Sequence, residues 1–355
     1  LITPPPKKVF PRAMTSVLPF LHTDFPKWFE ANQKFFVPPI CNKLLHGGQL
    51  KIMFCGGKKA NERGDYHIED GEEFFYMLKG SMILKVLENG KHRNIEIKEG
   101  ESFLLPAHVP HSPQRLPGSL GLVIERERST GEIDAMQWFV PRSTDVLWRR
   151  TFVCTDLGKD LVPVVKAFKA SEEAKTAKAR GEGATGKDGL LAIMPLKSPI
   201  DGKVKLIAPK ILQDLAAGKQ KEEQKNAFFD LYKGADFLVR GGLGKGSSTG
   251  EISHTSEAFY YLVKGTATLE ATKSNANVKM TEQSMVLVEP KVSHKLELTS
   301  SDSFVLMVSW PSAPSDEDDD SGSIQLPPHD SVPELSRYSS YANAELRTSD
   351  FEHST

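Results

Sequence analysis

Cysteine is scarce in this chain. Its 355 residues contain three, Cys41, Cys55 and Cys154. An odd count with no Cys-x-x-Cys pair argues against a disulfide framework or a zinc ribbon and fits a reducing cytosol. No apolar run approaches the roughly 18–20 residues that cross a bilayer, so no membrane association is expected. Nothing near the start has the apolar core of a secretory signal. A dominant charge is missing too: the formal net charge is −1. No basic stripe with interleaved aromatics runs along the chain, so nucleic-acid binding is not expected. The near-neutral total conceals a split, because residues 312–355 carry ten Asp or Glu against two Arg, a net of −8 that leaves +7 elsewhere.

A hydrophobic content of 39% and a charged content of 26% describe a globular protein long enough for two domains. Residues 1–13, with Pro4-Pro-Pro6 and Lys7-Lys8, read as a flexible leader or a targeting segment, with Met14 as a candidate start. Residues 26–46, containing Trp28-Phe29 and Phe35-Phe36, read as a lead-in lying across a barrel. From 50 to 128 short apolar runs alternate with turns. Lys51–Phe54, Glu73–Leu78, Ser81–Leu87, Glu101–Leu105 and Leu120–Glu125 read as strands, punctuated by Gly80, Asn89-Gly90 and Gly100. Such spacing predicts a sandwich or barrel rather than an α/β sheet. Leu161, Val164, Val165 and Phe168 recur at helical spacing and predict an amphipathic helix over 158–178.

An internal duplication follows. Ala258-Phe-Tyr-Tyr-Leu-Val-Lys-Gly265 echoes Glu73-Phe-Phe-Tyr-Met-Leu-Lys-Gly80, and Val288–His294 echoes Leu105–His111, a period near 185 residues. The expected organisation is a leader (1–13), a first barrel domain (14–178), a linker (179–191), a second barrel domain (192–311) and an acidic disordered tail (312–355). The fold class is therefore all-β dominated, two tandem barrels with a few flanking helices.

His67, Glu73 and His111 carry the chemistry. Two imidazoles and one carboxylate occupy one face of a divalent cation and leave the other open, the facial triad of non-haem Fe(II) oxygenases. The segments holding them resemble the paired motifs of the cupin superfamily, double-stranded β-helix or jelly-roll barrels. Glu73 and Gly80 keep the six-residue gap of the first motif, and Gly100 and Pro106 keep the five-residue gap of the second. Three positions depart: Asp65 stands where a His is usual, His108 where a Gly is usual, and Arg115 where an Asn is usual. With one His lost, an octahedral metal keeps three free positions, enough for a chelating substrate and dioxygen.

The departures sharpen the resemblance. Asp65-Tyr-His67 through Gly80 and Leu104–Arg115 are similar to the 3-hydroxyanthranilate 3,4-dioxygenase family, as are Pro38–Lys43, Gly121–Glu125 and Asp156-Leu-Gly158. The likeness is dense over about 38–160. Without Cys-x-x-Cys pairs, the chain is similar to the animal, two-cupin form. The resemblance implies Fe(II) held by His67, Glu73 and His111, one ion per chain. It implies dioxygen held by Arg63, the substrate carboxylate clamped by Arg115, and the substrate hydroxyl met by Glu125, with Glu73 touching substrate as well as metal. The implied partners are 3-hydroxyanthranilate and O2, the implied product feeds quinolinate and pyridine nucleotide synthesis, and a monomer is expected.

Alternatives stay open on residues alone. Glu127 shares a strand face with Glu125 and could take its role. Asp65 could reach a metal. His92 and His108 lack partner spacing, and Asn42 could approach the site. In the second barrel Ala258 and Ile252 stand opposite Glu73 and His67. His294 matches His111, and Leu298 falls where Arg115 would be. His254 and Glu257 could substitute as ligands, but three-apart spacing on a strand turns them to opposite faces, which favours a dead site. The competing functions are a non-catalytic two-barrel binding or storage protein and a zinc or manganese cupin isomerase.

Overall fold

The structure, a computed structural model, describes residues 19–36, 41–57, 63–179, 205–206 and 227–310. The leader 1–13, the tail 312–355 and nearly all of the linker lie outside the described residues. Within the described chain, strands pair antiparallel throughout and build two double-sheet barrels, as the sequence pattern predicts. The first pairs a six-stranded sheet in the order Lys205–Leu206, Glu101–Leu105, Glu73–Lys79, Leu120–Arg126, Leu50–Gly56, Asn42–Gly47 with a second six-stranded sheet. That second sheet runs Val146–Phe152, Asp134–Phe139, Tyr66–Ile68, His111–Arg115, Met82–Glu88, Lys91–Ile97. The second barrel joins a sheet ordered Phe20–Asp24, Ser284–Val288, Ala258–Lys264, Phe304–Ser309, Leu238–Leu243, Ala227–Lys233 to a three-stranded one.

Two edge strands cross between the halves. Phe20–Asp24, early in the chain, lies beside Ser284–Val288. Lys205–Leu206, late in it, lies beside Glu101 and Ser102. Each adds a strand to the sheet of the other half and covers an edge that would otherwise present unpaired backbone groups.

The pleat explains why the strand Glu73–Lys79 is an unbroken apolar run rather than an alternating one. Successive side chains point to opposite faces, and here both faces are buried. Phe75 and Met77 enter the core of the first barrel with Met53, Phe103, Val123, Met82 and Leu84. Phe74 and Tyr76 join a core shared with the second barrel, together with Ile52, Phe54, Leu122, Ile124, Phe237, Phe259, Tyr261 and Leu306. The lead-in segment contributes the helix Phe25–Asn32, opened by Pro26 and capped by Asp24, whose carboxylate accepts from Lys27 N at 3.1 Å. Its Phe25 ring sits 4.3 Å from that of Phe54.

The amphipathic helix forms as Leu157–Ala170 with its apolar stripe on Trp138 and Trp148. It breaks at Ser171, whose hydroxyl caps a second helix, Glu172–Thr176. His108, where the general motif has Gly, takes a left-handed φ of 64°, a conformation that costs a side-chain-bearing residue about 1–2 kcal/mol.

Truncating Phe54 (Phe54→Ala) removes a fully buried ring from the shared core and is expected to lower unfolding free energy by about 3–5 kcal/mol in denaturant titrations of the full chain. A loss under about 1 kcal/mol would show that the shared core is not tightly packed.

Candidate metal centre

Register brings the three motif residues together. His67 and His111 are directly opposed on neighbouring strands, and Glu73 opposes Glu125 across another pair. Period-two alternation turns Glu73 inward with Phe75 and Met77, and Glu125 inward with Val123. Glu73 Oε1 lies 2.9 Å from His111 Nε2 and 3.8 Å from His67 Nδ1, with all three side chains buried. Glu69 joins them: among the described residues, His67, Glu69, Glu73 and His111 form one cluster whose donor atoms lie within 4.8 Å of one another.

The donor set fits a divalent cation. His111 Nδ1 donates to the carbonyl of Val109 at 2.9 Å, which leaves Nε2 turned to the Glu73 carboxylate. His67 Nε2 donates to Asp134 Oδ2 at 2.7 Å, which leaves Nδ1 aimed at the same carboxylate. Glu69 Oε1 is buried and finds no donor. Once deprotonated, these nitrogen and carboxylate atoms would converge on one buried point, which calls for a positive charge, protons or a cation, between them.

Asp134, Glu69 and Arg128 carry no strand-level signal in the sequence, and they organise the centre. Arg128 Nε and Nη2 donate to the two oxygens of Asp134 at 2.8 and 2.9 Å, Nη1 to Glu125 Oε2 at 3.0 Å and Nη2 to Glu69 Oε2 at 2.7 Å. One guanidinium thus ties the carboxylate that orients His67 to the one opposite Glu73. A lysine could not match that fork.

Charges divide accordingly. Burial pushes Glu69 well above the ordinary carboxylate range, helped by the charges of Glu125 and Glu73. Burial also raises Glu125, with Glu73 adding to the effect and Arg128 opposing it. Burial works against ionisation of Glu73 as well, but the charge of His111 and hydrogen bonds from Glu69, His111 and His67 hold it well below that range. Burial disfavours a charged His67, yet Asp134 and Glu73 outweigh it and its pKa is pushed up to about 9.

The remaining sequence candidates take definite places. Arg115, on the face of its strand that carries His111, is buried and lies against a small pocket of about 10 Å³ with Cys55, Phe75, Met77, Met82 and Val123. Arg63 is held by Asp65 through its Nε at 3.0 Å and through Nη2. Its backbone is fixed by Gln114, which accepts from Arg63 N at 2.9 Å and donates to Arg63 O at 3.1 Å. Asp65 therefore engages Arg63 and stands outside the metal cluster. Glu127 lies past the end of the strand, its N–H donating to Gln49 O, so the inward carboxylate is Glu125. His108 pairs with Asp70, and His92 packs on Tyr66 and Phe139.

In the second barrel, His294 Nε2 bonds the Tyr260 hydroxyl at 2.7 Å, and Glu257 turns away to His46 and Leu50. No second donor cluster forms among the described residues.

Two outcomes follow from this geometry. A cation must displace the proton that His67 Nδ1 holds up to about pH 9. The affinity of metal-free protein for Co(II) or Fe(II) should therefore rise by up to about tenfold per pH unit between pH 7 and 9; affinity independent of pH contradicts it. For the metal-free fold the sign is opposite. Stability from charged His67 is complete below its ordinary value of 6.5 and lost as pH rises through about 9. Replacing Asp134 with Asn should weaken metal binding by about 10–100-fold, the usual effect of losing the partner that orients a histidine ligand. Unchanged affinity would remove Asp134 from that role.

Comparison with known proteins agrees with the geometry. A family model described as 3-hydroxyanthranilic acid dioxygenase matches residues 18–169. The 3-hydroxyanthranilate 3,4-dioxygenase of Danio rerio is 53% identical over 158 residues, 44% of this chain and 54% of that protein; the chain thus spans about half the length of this relative. The Bos taurus enzyme of that name is 46% identical over 63% of this chain and 74% of its own length. That of Nematostella vectensis is 41% identical over 68% and 83%. Among solved structures, oxalate decarboxylase from Bacillus subtilis is 15% identical with a TM-score of 0.40, covering 75% of this chain and 70% of that one. A cupin 2 conserved barrel domain protein from Leptotrichia buccalis is 10% identical with a TM-score of 0.43, covering 84% and 100%. The barrel architecture rests on the strand pairing itself. On sequence, over 74% of one relative and 83% of another, the chain belongs to the 3-hydroxyanthranilate 3,4-dioxygenase family.

Proposed function

We propose that this protein opens the ring of 3-hydroxyanthranilate with dioxygen at an Fe(II) centre held by His67, Glu73 and His111, giving 2-amino-3-carboxymuconate semialdehyde. The observation that carries the reading is the convergence of two imidazoles and a carboxylate on one buried point, with the buried Arg115 on the strand of His111. When bound, the ferrous ion would supply Lewis acidity and dioxygen activation.

The side chains account for the rest. Arg115, a buried guanidinium among Phe75, Met77, Met82 and Val123, suits an aromatic acid, whose carboxylate it would clamp through two parallel bonds. That clamp fixes the ring in one orientation, so its hydroxyl faces Glu125. Burial and the charge of Glu73 raise the Glu125 pKa, which suits a carboxylate that takes the phenolic proton near neutral pH. Arg128 holds one Glu125 oxygen and leaves the other for substrate. Arg63, held by Asp65 and within reach of the charge of Glu73, would stabilise negative charge developing on oxygen.

The product's aldehyde and amine lie close enough to condense to quinolinate, which places the reaction ahead of pyridine nucleotide synthesis. The monomeric, cytosolic reading is supported by the second barrel, which covers the outer face of the first barrel's sheet, and by three unpaired buried thiols.

Oxygen uptake by ferrous-loaded protein on adding 3-hydroxyanthranilate, with a one-to-one stoichiometry, tests the proposal. Absence of uptake under reducing conditions sinks it and returns the non-catalytic two-barrel reading or the zinc or manganese isomerase, which consumes no oxygen. Arg115→Ala should raise KM roughly 100-fold, the equivalent of about 3 kcal/mol for charged hydrogen bonds, with Fe(II) still bound; an unchanged KM refutes the clamp. Glu73→Ala should abolish stoichiometric metal binding, and a fully metallated variant removes Glu73 from the ligand set.

A further inference from the structure

The residues beside the centre point away from it and into the other barrel. On the strands carrying Glu73 and Glu125, the even-numbered neighbours face the shared core, since Phe74, Tyr76, Leu122 and Ile124 all lie there. Glu72 and Arg126 follow the same parity. The Glu72 carboxylate accepts from three consecutive backbone N–H groups of the second barrel, Ala235 at 3.0 Å, Asp236 at 2.9 Å and Phe237 at 3.2 Å. Its own N–H donates to Asp236 Oδ2 at 2.9 Å. The other oxygen of Asp236 takes Arg126 Nε at 3.0 Å. One aspartate of the second barrel thereby joins the residue before Glu73 to the residue after Glu125.

The arrangement is reciprocated on the side without a metal cluster. Glu257 precedes Ala258, the counterpart of Glu73. Its carboxylate accepts from Leu50 N of the first barrel at 2.8 Å, and its N–H donates to Gln49 Oε1 at 3.0 Å. Leu50 and Phe237 hold matching places, each one residue before the residue opposite the last inward position of the neighbouring strand (Glu125 or Ser309). In both turns a glycine is required: a Cβ on Gly234 would run into the Glu72 carboxylate, and one on Gly48 into that of Glu257. Mutual contacts of this kind are what a two-fold interface produces. Both latches persist, yet only that of Glu72 and Asp236 links the residue before Glu73 to the residue after Glu125.

We infer that Glu72 and Asp236 are positioning residues: the second barrel, through its 234–237 turn, sets the separation of Glu73 and Glu125 and so tunes the centre it does not itself line. This rests on the reading of those two carboxylates as metal and substrate groups. The physical argument is direct. Glu73 and Glu125 are opposed residues whose immediate chain neighbours share one carboxylate, so a shift of the turn acts on the Glu72 backbone directly and on the strand of Glu125 through the Arg126 side chain. A buried carboxylate in three N–H bonds resists such a shift, because breaking any one strands a buried donor.

The near-symmetry supplies its own control. Full-length protein carrying Glu72→Gln or Asp236→Ala is compared with protein carrying Glu257→Gln or Gln49→Ala. Gly234→Ala against Gly48→Ala forms a second pair that displaces each carboxylate without removing it. Thermal midpoint, Co(II) affinity of the metal-free protein and KM and kcat of the ferrous enzyme are measured for each. The Glu72 side should weaken Co(II) binding and raise KM by about 10-fold, in the range for outer partners of a metal site. The Glu257 side should lose comparable thermal stability but stay within about twofold of the parent on both. Equal effects from the two sides, or no effect on Co(II) affinity and KM from the Glu72 side, overturn the inference. Co(II) affinity is read without turnover, so a chain that fails to consume 3-hydroxyanthranilate loses the proposed reaction while the latch is still decided.

Discussion

One carboxylate facing two imidazoles in a closed space governs this molecule. Glu73 sits between His67 and His111 with almost no solvent, and Glu69, Glu125 and Asp134 are buried nearby. Isolated buried anions are costly. The fold answers with Arg128, whose guanidinium reaches three of them, and with a donor geometry that a divalent cation completes. Everything else in the first barrel follows from keeping those groups fixed. His67 is held by Asp134, His111 by the Val109 carbonyl, and Arg63 by Asp65 and Gln114.

The same strands serve two purposes because a pleat has two faces. Inward residues build the centre and the apolar core beside it, while the outward residues between them build the core shared with the second barrel. That barrel lacks the candidate ligand set among its described residues but keeps the interface. Ala258 and Ile252 replace two of them, and His294, which remains, is occupied by Tyr260. A duplicated fold can lose one site cheaply, since the buried apolar contacts that hold the pair together lie on the other face.

Much of this was legible in the sequence, for definite reasons. The strands over 51–54, 73–78, 101–105 and 120–125 announce themselves through turn residues and apolar runs. Motif spacing singled out His67, Glu73 and His111 as one set because ligand geometry restricts which residues can share a metal. The preference for Glu125 over Glu127 needed the register against Glu73. Glu69, Arg128 and Asp134 were not legible: their contacts span tens of residues and leave no periodic trace. The strand His111–Arg115 hides behind Pro113, tolerated because pairing with Tyr66–Ile68 ends at His111 and no N–H is needed beyond it on that side. Phe20–Asp24 was missed because pairing with a strand more than 260 residues away has no local signature. The helix over 158–178 was read through its apolar stripe, whereas its break at Ser171 depends on a cap that competes with continuation.

The central claim concerns which atoms surround the cation, and iron K-edge X-ray absorption of the anaerobically loaded full chain addresses it directly. The account predicts a first shell of oxygen and nitrogen only, with outer-shell scattering from two imidazoles. A sulfur shell, or scattering from three or more imidazoles, would contradict it.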